Sequence, residues 1–572
     1  MTLFWKYVRK YKKGIICAIF FLAIADLAQI LMPGLIRDAV RGLVSENARM
    51  SDFTRTALWV FGVVFVTALC RMMWRIVLWP VGRRVEYDIR GDLLLHLQKV
   101  DPGYYHAHAS GDLMSRATSD VDAVRMFFSM GFVVFFDFLM VLPIAMVLMI
   151  RTDPVMGLTV AVPILIAPVF SLILLRRLSL AFRLSQDELG VLSGRAQEDI
   201  TGVRVIKTYA REDACRKNYR KQNLKTRGAF LKVSRLHSLI GPYFHLVPQV
   251  AVLLLVIVCN TAWMAGKYTA GEIVQMQAFS GLLSWPTFAL GWGITMLQRM
   301  RSSMARVQEV LDEPARERAR IDKGPDRIDG HLDFRNLTFC YGKGAPVLTR
   351  VNLNVECGTL LGMTGPTGSG KSTLLSLAVN LIEAPRHSIF LDGIDIRDIA
   401  PEKLRRHIAL VQQEPFLFSR PLRENLAFAR PEAADEDVYD AVVAAGLEPD
   451  LNQFDAGLNT LVGDRGVTLS GGQRLRVALG RALVADPQVL LIDDAFAAVD
   501  VRTEEQVWNT LRKRMAGRTV VVVSHRISVL RRCDRIAVLE NGTISQQGSH
   551  SELIDRDGFY SRTFALQELF EQ

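Results

Sequence analysis

Positions 365–373 read GPTGSGKST, an order of residue types suited to holding a chain of phosphates. An apolar run, Thr359–Met363, precedes it, and helix-forming sequence, Thr373–Leu381, follows. Gly365, Gly368 and Gly370 let backbone N–H groups close around phosphate oxygens, and a helix start adds the positive end of its dipole. Thr367, Ser369 and Thr373 complete the loop. Lys371 is spaced to reach the β- and γ-phosphates and the Ser372 hydroxyl to bind Mg²⁺, so ATP or GTP is the expected ligand. Further on, Val489–Ile492 is a buried-strand run ending in Asp493, the carboxylate that Mg²⁺ beside such a loop requires. An aspartate can merely end a strand, but this one lies well downstream of Lys371 with other motifs between them.

Those residues need two different settings. A length of 572 residues exceeds one ordinary soluble core and predicts at least two domains. Half the residues are hydrophobic while 22% are charged, which requires apolar blocks in one region and a soluble composition in another. Apolar stretches at 14–36, 57–80, 131–150, 155–175, 243–266 and 274–297 each have about the twenty residues that a membrane helix needs. The first, after a basic start, could be a signal peptide, but its hydrophobicity continues through Leu27, Ile30, Leu31, Leu35 and Ile36, so a retained helix is expected. Leu3–Lys13 then reads as an amphipathic helix on the inner membrane surface.

Charged, helix-compatible sequence between spans two and three and between four and five predicts helices that continue into the cytoplasm and turn there. The net charge of +11 concentrates in those loops, among them Arg176, Arg177, Arg204, Lys207 and Arg211, which is the positive-inside bias and orients the chain. The basic loops lack an interleaved aromatic platform, which argues against nucleic acid as a partner. Seven scattered cysteines without paired spacing predict reduced thiols. The expected organisation is a transmembrane domain over 1–311, a linker over 312–329 and a soluble domain over 330–572. The fold class is an all-α six-helix transmembrane domain followed by an α/β P-loop NTPase domain.

LSGGQ at 469–473, opening the helix Arg474–Leu483, joins these features into one pattern. The chain resembles ATP-binding cassette (ABC) transporters, and six spans before the cassette make it similar to an exporter-type half-transporter. The resemblance covers almost the whole chain. It implies that ATP and Mg²⁺ are bound, and that two cassettes dimerise head to tail, each ATP lying between one phosphate loop and the partner's Ser470, Gly471, Gly472 and Gln473. Tyr341 matches the aromatic that stacks on adenine. Gln413 matches the glutamine that contacts Mg²⁺ and water, Asp500 the aspartate facing the other subunit, and His525 the histidine that senses the γ-phosphate. Asp464 falls where exporters commonly carry Glu. The segments 110–125 and 201–213 resemble the first and second coupling segments, whose helical turns would dock on ATPase domains. The resemblance also implies a bacterial inner membrane, with the N-terminus and ATPase domain cytoplasmic.

One position departs from the pattern. Asp494 stands where most exporters place the Glu that polarises the attacking water, and Ala495–Asp500 also differs from the usual sequence. This resembles the degenerate-site member of a heterodimeric multidrug-type pair, whose partner, a second half-transporter, would carry Glu. A homodimer in which Asp494 works slowly is the plainer alternative. The expected function is ATP-driven export of an amphipathic small molecule, drug or lipid across the lipid bilayer; the alternative is an ATP-gated or regulatory subunit with little turnover. Asp26, Arg71, Arg75 and Asp137 lie within spans, where charges pair with one another or face a pathway. Trp285, Phe288 and Trp292 could line an apolar cavity or simply pack.

Overall fold

The computed structural model describes residues 2–44, 50–264, 268–315, 324–325, 327–342, 344–463, 466–494 and 501–571. The chain forms two compact units: Met1–Val100 with His108–Pro314, and Asp101–Ala107 with Ala315–Gln572. Part of the expected linker, 316–323 and 326, lies outside the described residues.

Among the described residues, six helices of the first unit coincide with the expected apolar stretches: α1 (Lys12–Val44), α2 (Met50–Leu97), α3 (Phe132–Thr152), α4 (Pro154–Thr201), α5 (Ile240–Met264) and α6 (Ala270–Asp312), with a further long helix, Glu212–His237, between α4 and α5. Helices α2 and α4 have 48 residues each. At 1.5 Å per residue they extend for about 72 Å, against about 30 Å of bilayer hydrocarbon. The apolar spans therefore run on as helix well past a membrane's thickness. By length and composition, five helical stretches among the described residues are apolar enough to cross a bilayer, and α6 is not one of them. Its polar and small residues have a packing reason. Helix α6 touches all five other helices, and the glycines let neighbours approach: a Cβ on Gly291 would lie 2.8 Å from Leu175 of α4, and one on Gly293 2.7 Å from Val134 of α3.

Helices α3 and α4 are joined by Asp153 alone. Its carboxylate accepts from the backbone N–H groups of Val155 and Met156, both at 2.9 Å, and Pro154 occupies the first helical position, where no N–H is needed. Gly157 completes the turn, since a Cβ there would come within 2.8 Å of the Met149 carbonyl carbon.

The N-terminal helix Thr2–Lys10 is pinned to α2 through side chains that a free surface helix would turn to lipid. Lys6 and Tyr7 reach Asp92 at 2.7 and 2.9 Å, and Lys10 and Tyr11 reach Asp88 at 2.6 and 2.7 Å. Segment 110–125, which resembles the first coupling segment, is helical and packs against α6. This segment lies in the first unit, where Asp120 accepts from Ser303 and Arg306 of α6 at 2.9 and 2.8 Å, and Arg116 meets Glu309 at 2.8 Å. The short helix that groups with the second unit is Pro102–Ala107, just before it. Segment 201–213 forms a short helix, Val203–Thr208, at an exposed tip.

The second unit contains an antiparallel sheet and a mostly parallel one. Strands β1 (Leu332–Cys340), β2 (Pro346–Val355), β4 (Ile389–Leu391) and β5 (Ile394–Asp395) form the first, ordered β2-β1-β4-β5. The second is ordered β10-β9-β3-β8-β7-β6, from β3 (Leu360–Thr364), β6 (Ile408–Val411), β7 (Val489–Asp493), β8 (Thr519–Val523), β9 (Arg535–Glu540) and β10 (Thr543–Gly548). Strands β7 (VLLID) and β8 (TVVVV) are buried at every position, as central parallel strands covered on both faces must be. Helix α7 (Lys371–Ala378) follows β3, and α8 (Gly471–Val484) precedes β7.

Two glycines on the same helix give a direct check of the α3–α4 turn. Gly190 has open space around its missing Cβ, whereas Gly157 does not. Gly157→Ala should lose roughly 1–3 kcal/mol of stability through backbone crowding, while Gly190→Ala should be neutral or gain up to about 1 kcal/mol from helix propensity. Thermal unfolding of the two purified variants would measure the difference.

Candidate functional site

Strands β3, β8, β7 and β6 are adjacent and mutually parallel, with Met363 opposite Val523, Val523 opposite Asp493, and Ile492 opposite Val411. The segments that leave their C-terminal ends therefore emerge along one edge of the sheet, where ligands of open α/β folds bind. Those segments are the glycine loop after β3, Ser524–His525 after β8, Asp494 after β7 and Gln412–Gln413 after β6. Four stretches separated by up to 160 residues of chain are thus brought to one place by strand order.

The loop between β3 and α7 closes because its glycines occupy conformations that other residues avoid. Gly365 has φ +150° and Gly370 φ +102°. A Cβ on Gly365 would sit 2.0 Å from the Leu539 carbonyl oxygen, and one on Gly370 2.7 Å from Leu348. Lys371 is buried, and its Nζ donates to the carbonyls of Gly365 at 2.9 Å and Pro366 at 2.8 Å. Its ammonium is held in the mouth of the loop. Burial pushes the Lys371 amine below its ordinary range, and the negative charges of Asp493 and Asp494 oppose that shift.

Burial raises the Asp493 carboxyl, opposed by a hydrogen bond from the Ser372 hydroxyl and by the charges of Lys371 and His525. A serine hydroxyl and a carboxylate together beside an ammonium form a hard-oxygen donor set that fits Mg²⁺. That ion takes one or two protein oxygens and completes its shell with water and phosphate. Asp494 is also raised by burial, with His525 opposing and Asp493 reinforcing the shift. Its backbone is left-handed, φ +47°, and its N–H donates to the Val523 carbonyl at 3.0 Å.

The remaining predicted residues fall around this edge or apart from it. Tyr341 has a half-exposed ring and a hydroxyl 3.1 Å from Thr373 Oγ1 on α7, leaving an aromatic face on which a flat base could stack. Gln413 is exposed just beyond β6. Ser470 caps α8 in a reciprocal box: its hydroxyl accepts from the Gln473 N–H at 3.2 Å, and the Gln473 side chain accepts from the Ser470 N–H at 2.8 Å. Gly471 and Gly472 form the first turn of α8, so the motif is the helix start itself, one turn earlier than the expected Arg474. Asp500 and Asp464 lie outside the described residues.

The structure adds positioning residues that no motif announced. Asp450 accepts from Gln473 Nε2 at 2.8 Å and pairs with Arg476 at 2.6 Å, clamping the start of α8 to the preceding helical segment. Arg481 on α8 donates to the carbonyls of Asn425 at 2.9 Å and Phe416 at 3.0 Å. It thereby ties the stretch after Gln413 to the LSGGQ helix. The sequence offered one signal, arginines on a helix whose neighbours are otherwise apolar; their partners are 26 and more residues away.

With this geometry in view, comparison with known proteins is decisive. Residues 15–287 match the family described as ABC transporter transmembrane region, and residues 348–497 match ABC transporter. The chain is 32% identical over 561 residues to the multidrug resistance-like ATP-binding protein MdlA of Escherichia coli, covering 96% of this chain and 94% of that protein. The chain belongs to the ABC transporter family. This ABC transporter is also 29% identical over 562 residues to the probable multidrug resistance ABC transporter ATP-binding/permease protein YheI of Bacillus subtilis, covering 97% and 95% of the two chains. Its fold matches a bacterial Atm1-family ABC exporter solved with ATP bound, at a TM-score of 0.77 and 24% identity over 98% and 99% of the two chains. The transporter is therefore of exporter type: a helical membrane domain joined to an ATP-hydrolysing cassette.

Removing Asp450 would leave Arg476, largely buried, without its counter-charge. Asp450→Ala should cost about 3–5 kcal/mol in the cassette and lower ATPase activity, and Asp450→Glu should recover part of both. Denaturant unfolding followed alongside ATPase rates would check this.

Proposed function

We propose that the ABC transporter exports an amphipathic small molecule, drug or lipid across a bacterial inner membrane as one half of a heterodimer, with its own ATP site slow. The observation that carries the reading is Asp494, directly after the Mg²⁺-ligand candidate Asp493 at the convergent edge of the sheet. In this reading Tyr341 stacks on adenine, the 365–373 loop and Lys371 hold the phosphates, and Ser470 with Gly471 and Gly472 completes the partner's site. Ser372, Asp493 and Gln413 would hold Mg²⁺, which would supply charge neutralisation at the phosphate oxygens. His525 holds the γ-phosphate, and Asp494 is left to take a proton from the attacking water.

Asp494 is poorly suited to that step. Its carboxylate is one methylene, about 1.5 Å, short of a glutamate's reach, and a misplacement of about 1 Å can cost roughly 100-fold in rate. The partner's Glu, completed by the LSGGQ of this chain, would supply the fast site. Coupling is supported by the tip 201–213, where Val203, Val205 and Tyr209 are exposed apolar side chains suited to a groove on an ATPase domain. Export of amphiphiles is supported by the multidrug-type names of the relatives.

Purification from the native membrane should recover a second half-transporter with Glu after its Mg²⁺-binding Asp. Two copies of this chain alone would sink the heterodimer. Uphill accumulation of a labelled substrate in vesicles separates a pump from a pore, which only equilibrates. With the partner's Glu replaced by Gln, Asp494→Glu should raise ATPase turnover tenfold or more; an unchanged rate would put the limit elsewhere in the site. Because burial raises the Asp494 carboxyl, and a base works only when deprotonated, turnover at this site should fall on acidification at a pH above the ordinary aspartate value of about 3.9. A pH profile of the transporter with the partner's Glu replaced by Gln isolates that limb. Val205→Asp with Tyr209→Asp should leave ATP hydrolysis and abolish transport.

A further inference from the structure

The membrane unit holds a cluster that the pump cycle described above does not use. Asp26 on α1 is 1% exposed and Asp137 on α3 is 8% exposed, and their carboxyls are within hydrogen-bonding reach of each other. Asp26 Oδ2 and Asp137 Oδ1 are buried with no hydrogen-bond partner. Arg71 on α2 is within electrostatic reach of both acids, yet its guanidinium donates to Gln29 Oε1 of α1. Arg71 and Gln29 line a cavity of about 520 Å³ between α1, α2 and α6, with Met32, Pro33, Thr67 and Leu282.

The packed elements bring little else that carries charge. Helix α6 has no ionisable residue from Gln275 to Leu297, and α4 has none from Pro154 to Leu175. Arg151 lies at the far end of α3, and Arg75, one turn beyond Arg71, sits over the ring of Trp74.

Two carboxylates in contact in an apolar bundle repel each other and lack donors. One proton between them removes the repulsion and supplies a donor. With it, two acids and Arg71 sum to zero charge; without it, they carry one net negative charge. Arg71 is the cationic neighbour able to take the proton's place, by leaving Gln29 for the pair.

We propose that Asp26 and Asp137 form a proton-binding site of the membrane domain, releasing one proton per copy when Arg71 moves onto the pair as the helices rearrange during the transport cycle. The acids stand on α1 and α3 and the counter-charge on α2, so any shift of α2 against the other two helices changes the affinity for the proton.

The test uses the complete purified transporter in weak buffer with a pH-indicator dye, saturated with Mg²⁺ and a non-hydrolysable ATP analogue. Wild type should release about one more proton per copy of this chain than Asp26→Asn or Asp137→Asn, whose amides replace the shared proton with a fixed donor of the same shape. Arg71→Gln should abolish the same release while both acids remain. By linkage, affinity for the analogue should rise with pH more steeply in wild type than in Asp26→Asn, by up to tenfold per pH unit. Equal proton counts in wild type and all variants, or an identical pH dependence of affinity, would overturn the site and leave the pair a permanently protonated structural contact.

Discussion

The chemistry of this chain depends on one constraint, the parallel adjacency of β3, β8, β7 and β6. Parallel register places strand C-termini at one edge, and each strand here ends at, or leads directly into, a candidate site residue. Because Val523 pairs with both Met363 and Asp493, the phosphate loop and the Mg²⁺-ligand candidate are held one strand apart, with His525 leaving the strand between them. A slip of one residue in β7 would turn Asp493 to the other face of the sheet. The completely buried β7 and β8 make such a slip costly, so apolar residues with no chemical role set the position of the charged ones.

Charge within that edge is balanced rather than minimised. Burial works against ionisation of Lys371, Asp493 and Asp494 alike, while the attraction between Lys371 and the two carboxylates works for it. Lys371 rests on carbonyls of its own loop, contacts that phosphate oxygens can replace with stronger ones. The LSGGQ helix is held by a separate set of bonds through Asp450 and Arg481, which link it to two segments that precede it in the chain.

The membrane unit answers to packing. In lipid there is little hydrophobic force between helices, so close contact of small residues and buried polar groups carries association. Gly291 and Gly293 let α6 serve as the common neighbour of the other five helices, and this use of small and polar residues is why α6 is less apolar than the spans around it.

Local pattern was enough to read the spans, the glycine loop, the strand before Asp493 and the start of α8 to within a turn, because each rests on residues within a turn or a strand of one another. Asp494 stood out from its place in a motif alone. Long-range pairing was not legible. Nothing near Asp120 announces Ser303 and Arg306, its partners on α6. Asp450 and Arg481 look like surface charges until their partners are known. Asp26 and Asp137 are 111 positions apart, and only the packing of α1 against α3 makes them a pair. Sequence alone determined which residues could do chemistry and which stretches must be helix or strand, since those are properties of neighbouring side chains. The tertiary structure decided which charges meet, because a buried charge takes whatever partner the packing of distant elements delivers.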